Sequence, residues 1–440
     1  MSSYVWQEIN ADRIFRRPLR SEDLIERAQA SSGLTDFGET PFRGGLDALL
    51  RACNDEAALS LFGYYATRWD VSRFLTNLLR LRHEEQSAPE ILDQPVQRPL
   101  FLMGMPRSGT TFLHRLLTAD TSNRVPRVWE VIHPYPPGKA RSRDRRRQLV
   151  SRQIRIFGVL SPEFKSMHPI DADSPQECSD IMAHVFASLR FDTTYSVPSY
   201  RRWLAEMGQV DAYRFHKRFL QHLQYQARHC TRWVLKCPDH VFALDALHQV
   251  YPDARIVFVH RDPLHVMLSV ARLTEVLRKP FTRRIDRADI GRQDTDNWVA
   301  ATQLMIAVAD REPFAEPIFH VHYQDLVDNP PRVLRDLYRH FDMALDTATE
   351  ARVTRMLEGA PNGGYGANRY RFDTYGFDRA QLQRRFAPYI ARFGIATPLS
   401  GRTVELSKHV LPVNAVLRRP AARGASQRLS PSANILVENE

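Results

Sequence analysis

Arg98–Asp120 reads RPLFLMGMPRSGTTFLHRLLTAD, and this stretch decides the fold. Leu100 to Met103 is a short apolar run of strand type. Gly104 and Gly109 bracket four residues, and Leu113, Leu116 and Leu117 then recur at helical spacing. Strand, glycine loop and helix in that order make a frame that cradles a phosphate: glycines let backbone N–H groups turn toward an anion, and the helix start adds partial positive charge.

The nucleotidase form of this loop carries a Lys before its last Ser or Thr, to reach the terminal phosphates, and the hydroxyl holds magnesium. Here Thr110 fills the Lys slot and the loop's only cation is Arg107. A guanidinium is always charged and meets an oxyanion with two parallel donors. A P-loop kinase would also need a magnesium carboxylate, yet the run Ile256 to Val259 ends in His260 and Arg261. The sequence therefore predicts metal-independent chemistry.

Outward from the loop, the bulk properties bound the class. The 440 residues carry 61 Lys and Arg against 50 Asp and Glu, a formal charge of +11. That excess suits anionic ligands, but the arginines are spread along the chain and do not point to nucleic acid. Cys53, Cys178, Cys230 and Cys237 lack metal-ligand or redox-pair spacing. No apolar run reaches the roughly 20 residues of a membrane-spanning helix. The start MSSYVWQEINADRIFRR lacks a signal-peptide core, so a cytoplasmic protein is expected.

The expected fold class is α/β, a central parallel sheet with flanking helices. Residues 1–95 form an N-terminal helical region packed on the core, 96–400 the α/β domain, and 401–440 a flexible basic tail. Ser21 reads as a cap, and Asp171 to Leu189 as one helix. The basic segment Lys139 to Arg155 reads as a solvated helix face. Strands are expected at Trp233–Leu235, Ile256–Val259 and Ile318–Val321, with a crossover helix at Val241–Val250. Pro263 starts a helix after Asp262.

Three cations, Arg107, Lys236 and Arg261, follow predicted strands. Ligands gather outside the carboxyl ends of parallel strands, so the three converge on one edge and suit a ligand with two anionic ends.

PRSGTT, Pro106 to Thr111, resembles the 5′-phosphosulfate loop of sulfotransferases that use 3′-phosphoadenosine 5′-phosphosulfate, and VFVHRDPLHVMLSV, Val257 to Val270, resembles their 3′-phosphate motif. WVLKCPDH, Trp233 to His240, and HYQDLVDNPPRVLRDLY, His322 to Tyr338, are similar to further segments of that family. The resemblance runs from about Pro99 to Phe393 and implies the P-loop-like sulfotransferase fold. It places Arg107 on the leaving phosphosulfate and Ser108, Gly109, Thr110 and Thr111 as donors to the 5′-phosphate. Arg261 and Ser269 then hold the 3′-phosphate, Tyr323 contacts the adenine, and Lys236 lies near the transferred group. Arg369 and Arg371 match a basic loop over the nucleotide. The position two after Lys236, where the cytosolic branch carries its general-base His, is Pro238. Glu130 in RVWEVIHPYP matches the Glu base of other branches, its pKa raised beside Trp129; His240 and His133 are the second and third candidates. HPIDADSPQEC, His168 to Cys178, resembles a segment of bacterial members whose acids have no assigned role.

These readings predict in-line transfer of a sulfuryl group to the hydroxyl of a small-molecule, lipid or carbohydrate acceptor. The rivals are a P-loop kinase-like phosphotransferase and a non-catalytic anion- or nucleotide-binding protein. Aromatics such as Tyr64, Tyr65, Phe186, Phe191, Tyr195, Tyr200 and Trp203 shape either a core or an acceptor pocket. The oligomeric state is open, a homodimer included.

Overall fold

A computed structural model describes residues 17–136, 144–160, 163, 170–227, 232–358, 369–396 and 403–405. Its centre is an all-parallel sheet of β1 (Leu100–Gly104), β2 (Asn123–Arg124), β3 (Arg232–Lys236), β4 (Arg255–His260) and β5 (Phe319–His322), in the order β2-β3-β1-β4-β5. β1 is central: Leu100 pairs with Val234 and Arg255, and Gly104 with Val259. All five residues of β1 are buried, because a parallel sheet is covered on both faces and its strands read as unbroken apolar runs.

Side chains alternate between the faces. Leu100, Leu102, Val234, Val257 and Val259 pack on one face against Leu113 and Leu116 of α4 (Thr110–Leu117) and Leu337 of α9 (Pro330–His340). Phe101, Met103, Leu235, Ile256 and Phe258 pack on the other, in a much larger apolar cluster. That cluster takes in α1 (Ser21–Ser32), α2 (Arg43–Asp55), α3 (Leu61–Ser87) and α7 (Val210–Gln226) through residues such as Leu24, Leu49, Phe74 and Phe219. The N-terminal helices thus share one core with the sheet.

Several boundaries differ from expectation. Ser21 is the first helical residue of α1 and makes no capping bond. Asp171 to Leu189 is broken: only Cys178–Met182 is α-helical, a single tight turn Ala183–Val185 follows, and Phe186 then takes a left-handed conformation at φ 53° that no helix continues through. Of the basic segment, residues 137–143 lie outside the described residues, and Arg146 opens α6 (Arg146–Leu160). Arg146 is buried rather than solvated, bonding Asp144 and the carbonyl of His133 and lying 4.7 Å over the Trp129 ring. The 401–440 tail lies outside the described residues except for Thr403–Glu405, which pairs with Arg369–Arg371. No helix of the described residues is long and apolar enough to cross a membrane.

Candidate active site

The loop after β1 is held in a shape that side chains oppose. Gly104 has φ 144°, and a Cβ there would lie 2.4 Å from the Val259 carbonyl oxygen of the paired strand. Arg107 is itself left-handed at φ 64°. Gly109 has φ 103° and starts α4, and a Cβ there would lie 2.9 Å from the Tyr323 ring. Ser108 is fully buried, and its hydroxyl has no partner among the described residues. Thr110 is buried in the first turn of α4; Thr111 is exposed beside it. An orphaned buried hydroxyl at a helix start is a donor aimed where an anion fits.

Arg107 and the residues after β4 meet directly. The Arg261 guanidinium donates to the Arg107 carbonyl at 2.7 Å, and Arg107 Nε donates to Ser269 Oγ at 3.1 Å. Ser269 is buried on α8 (Pro263–Arg278), whose start is fixed by the Asp262 carboxylate accepting from Leu264 N–H at 3.0 Å. Arg261 lies 3.9 Å above the centre of the Tyr323 ring. The Tyr323 ring therefore packs close to both Gly109 and the Arg261 cation, and a Cβ at 109 would crowd it. Two guanidiniums, two hydroxyls and a helix start occupy one edge of the sheet.

Lys236 ends β3, pairs in register with Leu102 of β1, and is buried. Its ammonium is bonded to the Glu177 carboxylate. Glu177 and Pro106 both line a cavity of about 540 Å³, walled largely by apolar side chains including Phe62, Trp69, Phe157 and Phe281. Its polar end carries ion pairs: Arg190 bridges Asp70 at 3.2 Å and Asp180 at 2.8 Å. Asp239 also lines it; burial and the nearby Glu177 charge push its carboxyl up to about 7. Tyr195 lines this cavity, whereas Phe186, Phe191 and Tyr200 are core.

The three expected bases stand elsewhere. Both oxygens of Glu130 are engaged, one by Arg124 at 3.1 Å and the other by the Arg127 N–H at 2.9 Å, so it caps the short helix α5 (Val128–Ile132). The Trp129 ring is covered by Arg146. His240 is buried in the core with Nδ1 bonded to the Tyr213 hydroxyl at 2.6 Å. Burial, His216 and Lys236 hold its imidazole neutral, with its pKa well below the ordinary value. His133 is likewise driven down to about 3 by burial and by Arg73, Arg80 and Arg146. None of the three lines the cavity. Arg369 and Arg371 lie on a strand, and their side chains fall outside what is described. Glu177 was the residue the sequence left unassigned. Its only signal was its place in HPIDADSPQEC, since a long connection separates it from Lys236.

Comparisons with known proteins bear on the family and the fold. The pattern described as "Sulfotransferase family" matches residues 99–347. A curated relative, omega-hydroxy-beta-dihydromenaquinone-9 sulfotransferase Stf3 of Mycobacterium bovis, is 24% identical over 314 residues, which is 67% of this chain and 75% of that protein. The crystal structure of sulfotransferase STF9 from Mycobacterium avium superposes with a TM-score of 0.78 at 30% identity, covering 87% of this chain and 98% of that one. That of STF1 from Mycobacterium tuberculosis H37Rv gives 0.74 at 29%, covering 84% and 99%.

Proposed function

Because the chain belongs to the sulfotransferase family, we propose that it moves a sulfuryl group from 3′-phosphoadenosine 5′-phosphosulfate to the hydroxyl of a lipid-like alcohol. The observation that carries this reading is a shared wall: Pro106 of the anion loop and Glu177, bonded to Lys236, line the same largely apolar cavity. The relative from Mycobacterium bovis is named for a hydroxylated menaquinone, an acceptor of this class.

The donor supplies an activated sulfuryl group and a phosphate at the far end of its nucleotide. Ser108, Thr110, Thr111 and the Gly109 amide would hold the 5′ end, Arg261 and Ser269 the 3′-phosphate, and Tyr323 the base. Arg107 and Lys236 neutralise charge that develops on the leaving and transferred oxygens. By analogy with phosphoryl transfer the transition state is loose, so positioning and charge stabilisation do most of the work. We assign proton removal from the acceptor to Glu177 rather than to Glu130, since Glu177 stands on the cavity wall beside Lys236. Radiolabelled donor incubated with primary alcohols of increasing chain length tests the reading. Each added buried methylene contributes about 0.8 kcal/mol, so kcat/KM should climb about fourfold per carbon until the cavity is filled. Preference for a sugar over a long alcohol would overturn it.

A further inference from the structure

Nine large apolar side chains are exposed among the described residues, and six of them lie on two helices that also wall the cavity: Leu61, Phe62, Tyr65 and Trp69 on α3, and Ile156 and Val159 on α6. Leu61, Tyr65 and Trp69 repeat at i, i+4 and i+8, so they form one stripe, and Ile156 and Val159 lie one turn apart. Phe62 and Phe157 both pack on Phe281, with ring centres at 5.4 and 6.3 Å, which joins the two helices into one rim. Phe62, Trp69 and Phe157 continue inward as cavity wall. Val159 is 78% exposed and Tyr65 61%. Large apolar residues gathered on two helices joined through Phe281 mark an interaction site rather than scattered surface.

Charge selects the occupant. Arg152 and Arg155 are exposed on α6, each four residues before one of the rim's apolar side chains. A second copy paired through this face would bring the guanidiniums of both copies into one apolar interface, where charge is disfavoured. An anionic bilayer meets both halves of the pattern: acyl chains take Leu61, Ile156 and Val159, the headgroup region takes Tyr65 and Trp69, and the phosphates take the arginines. We propose that this rim docks the protein on an anionic membrane surface, so that the cavity opens into the layer that holds its acceptor. The idea rests on the lipid-alcohol reading of the cavity.

Sedimentation with vesicles tests it without donor or acceptor. Wild-type protein is mixed with phosphatidylcholine vesicles containing about one quarter phosphatidylglycerol, and with vesicles of phosphatidylcholine alone. The protein should partition onto the anionic vesicles and release in high salt. Leu61→Glu with Tyr65→Glu, and separately Ile156→Glu with Val159→Glu, touch the rim but not the cavity wall. Each pair should lower partitioning by roughly tenfold or more. Their transfer rate to a short water-soluble alcohol should stay unchanged, which also shows that they fold. Arg152→Glu with Arg155→Glu should remove only the preference for anionic lipid. Failure of wild type to sediment with either vesicle, or rim variants that sediment like wild type, would overturn the proposal. So would a wild-type dimer that the same rim substitutions dissociate. Vesicle binding without transfer to any long-chain alcohol would sink the acceptor reading and leave the docking face standing.

Discussion

Gly109→Ala perturbs the proposed nucleotide site through two separable effects. At φ 103° an alanine is strained, at about 1–2 kcal/mol by the cost of left-handed backbone for L-residues. That cost falls on the folded protein with or without ligand. The added Cβ would also lie 2.9 Å from Tyr323 Cδ2, inside any ordinary contact, so the ring must shift. The ring cannot move without leaving the Arg261 guanidinium 3.9 Å above it. A desolvated cation–π contact is worth about 2 kcal/mol, and that loss too falls on the folded protein with or without ligand. The affinity loss comes from displacing Arg261 and Tyr323, the proposed 3′-phosphate and adenine contacts, and should be about tenfold or more, the scale of one charge-assisted contact. Gly33→Ala is the control: at φ 72° and ψ 16° it is left-handed with no atom within 4 Å of the new Cβ, so it carries the strain and not the clash. Denaturant midpoints and calorimetric titration with 3′-phosphoadenosine 5′-phosphate read the two effects. Both variants should lose stability, Gly109→Ala the more, and only Gly109→Ala should lose affinity. A Gly109→Ala protein that binds the nucleotide like wild type would refute the packing argument.

Other outcomes follow from the same geometry. Arg107→Ala should lower kcat by about 100-fold or more, the scale of one lost charge-stabilising donor, and near-normal turnover would remove the loop from the chemistry. Glu177→Gln should cost about 100- to 10,000-fold in kcat and flatten the acid limb of its pH profile, while Glu130→Gln should mainly lower the melting temperature by loosening a cap. The reverse pattern would return the base to Glu130. Asp239 has a folded-state pKa of about 7, above its unfolded value. The folded protein therefore binds a proton that the unfolded chain releases, and stability is lost as pH rises through that window. Asp239→Asn should stabilise by at most roughly 4 kcal/mol at pH 8, from 1.36 kcal/mol per pKa unit, with the gain shrinking toward pH 4. A pH-independent change would contradict it.

The parts legible in the sequence were those fixed by adjacent residues. The loop, its strand and its helix sit in one stretch, and Arg261 and Ser269 lie where a strand end and the second turn of α8 put them. What escaped depends on distant packing. Glu130 matches the family's Glu base in sequence, but Arg124 and its own helix start take both its oxygens. Arg127 is not a capping residue type, so the Arg127–Glu130 box carried no familiar signature. His240 follows a strand as a functional residue would, yet Tyr213 and Phe101 enclose it. Glu177 reaches Lys236 only because the segment holding it folds back over the sheet edge, which periodicity does not report. The helix expected through Leu189 fails at Phe186, whose carbonyl would lie 2.5 Å from any Cβ on Gly45.

The proposed function requires one site that holds a nucleotide charged at both ends. Calorimetric titration of wild type and Arg261→Ala with 3′-phosphoadenosine 5′-phosphate, beside ATP with magnesium, tests this most directly. The bisphosphate should bind wild type far more tightly than ATP, and Arg261→Ala should lose roughly tenfold or more of that affinity, the scale of a charge-assisted contact. Equal or tighter binding of magnesium ATP, or an Arg261→Ala protein that binds the bisphosphate undiminished, would contradict it.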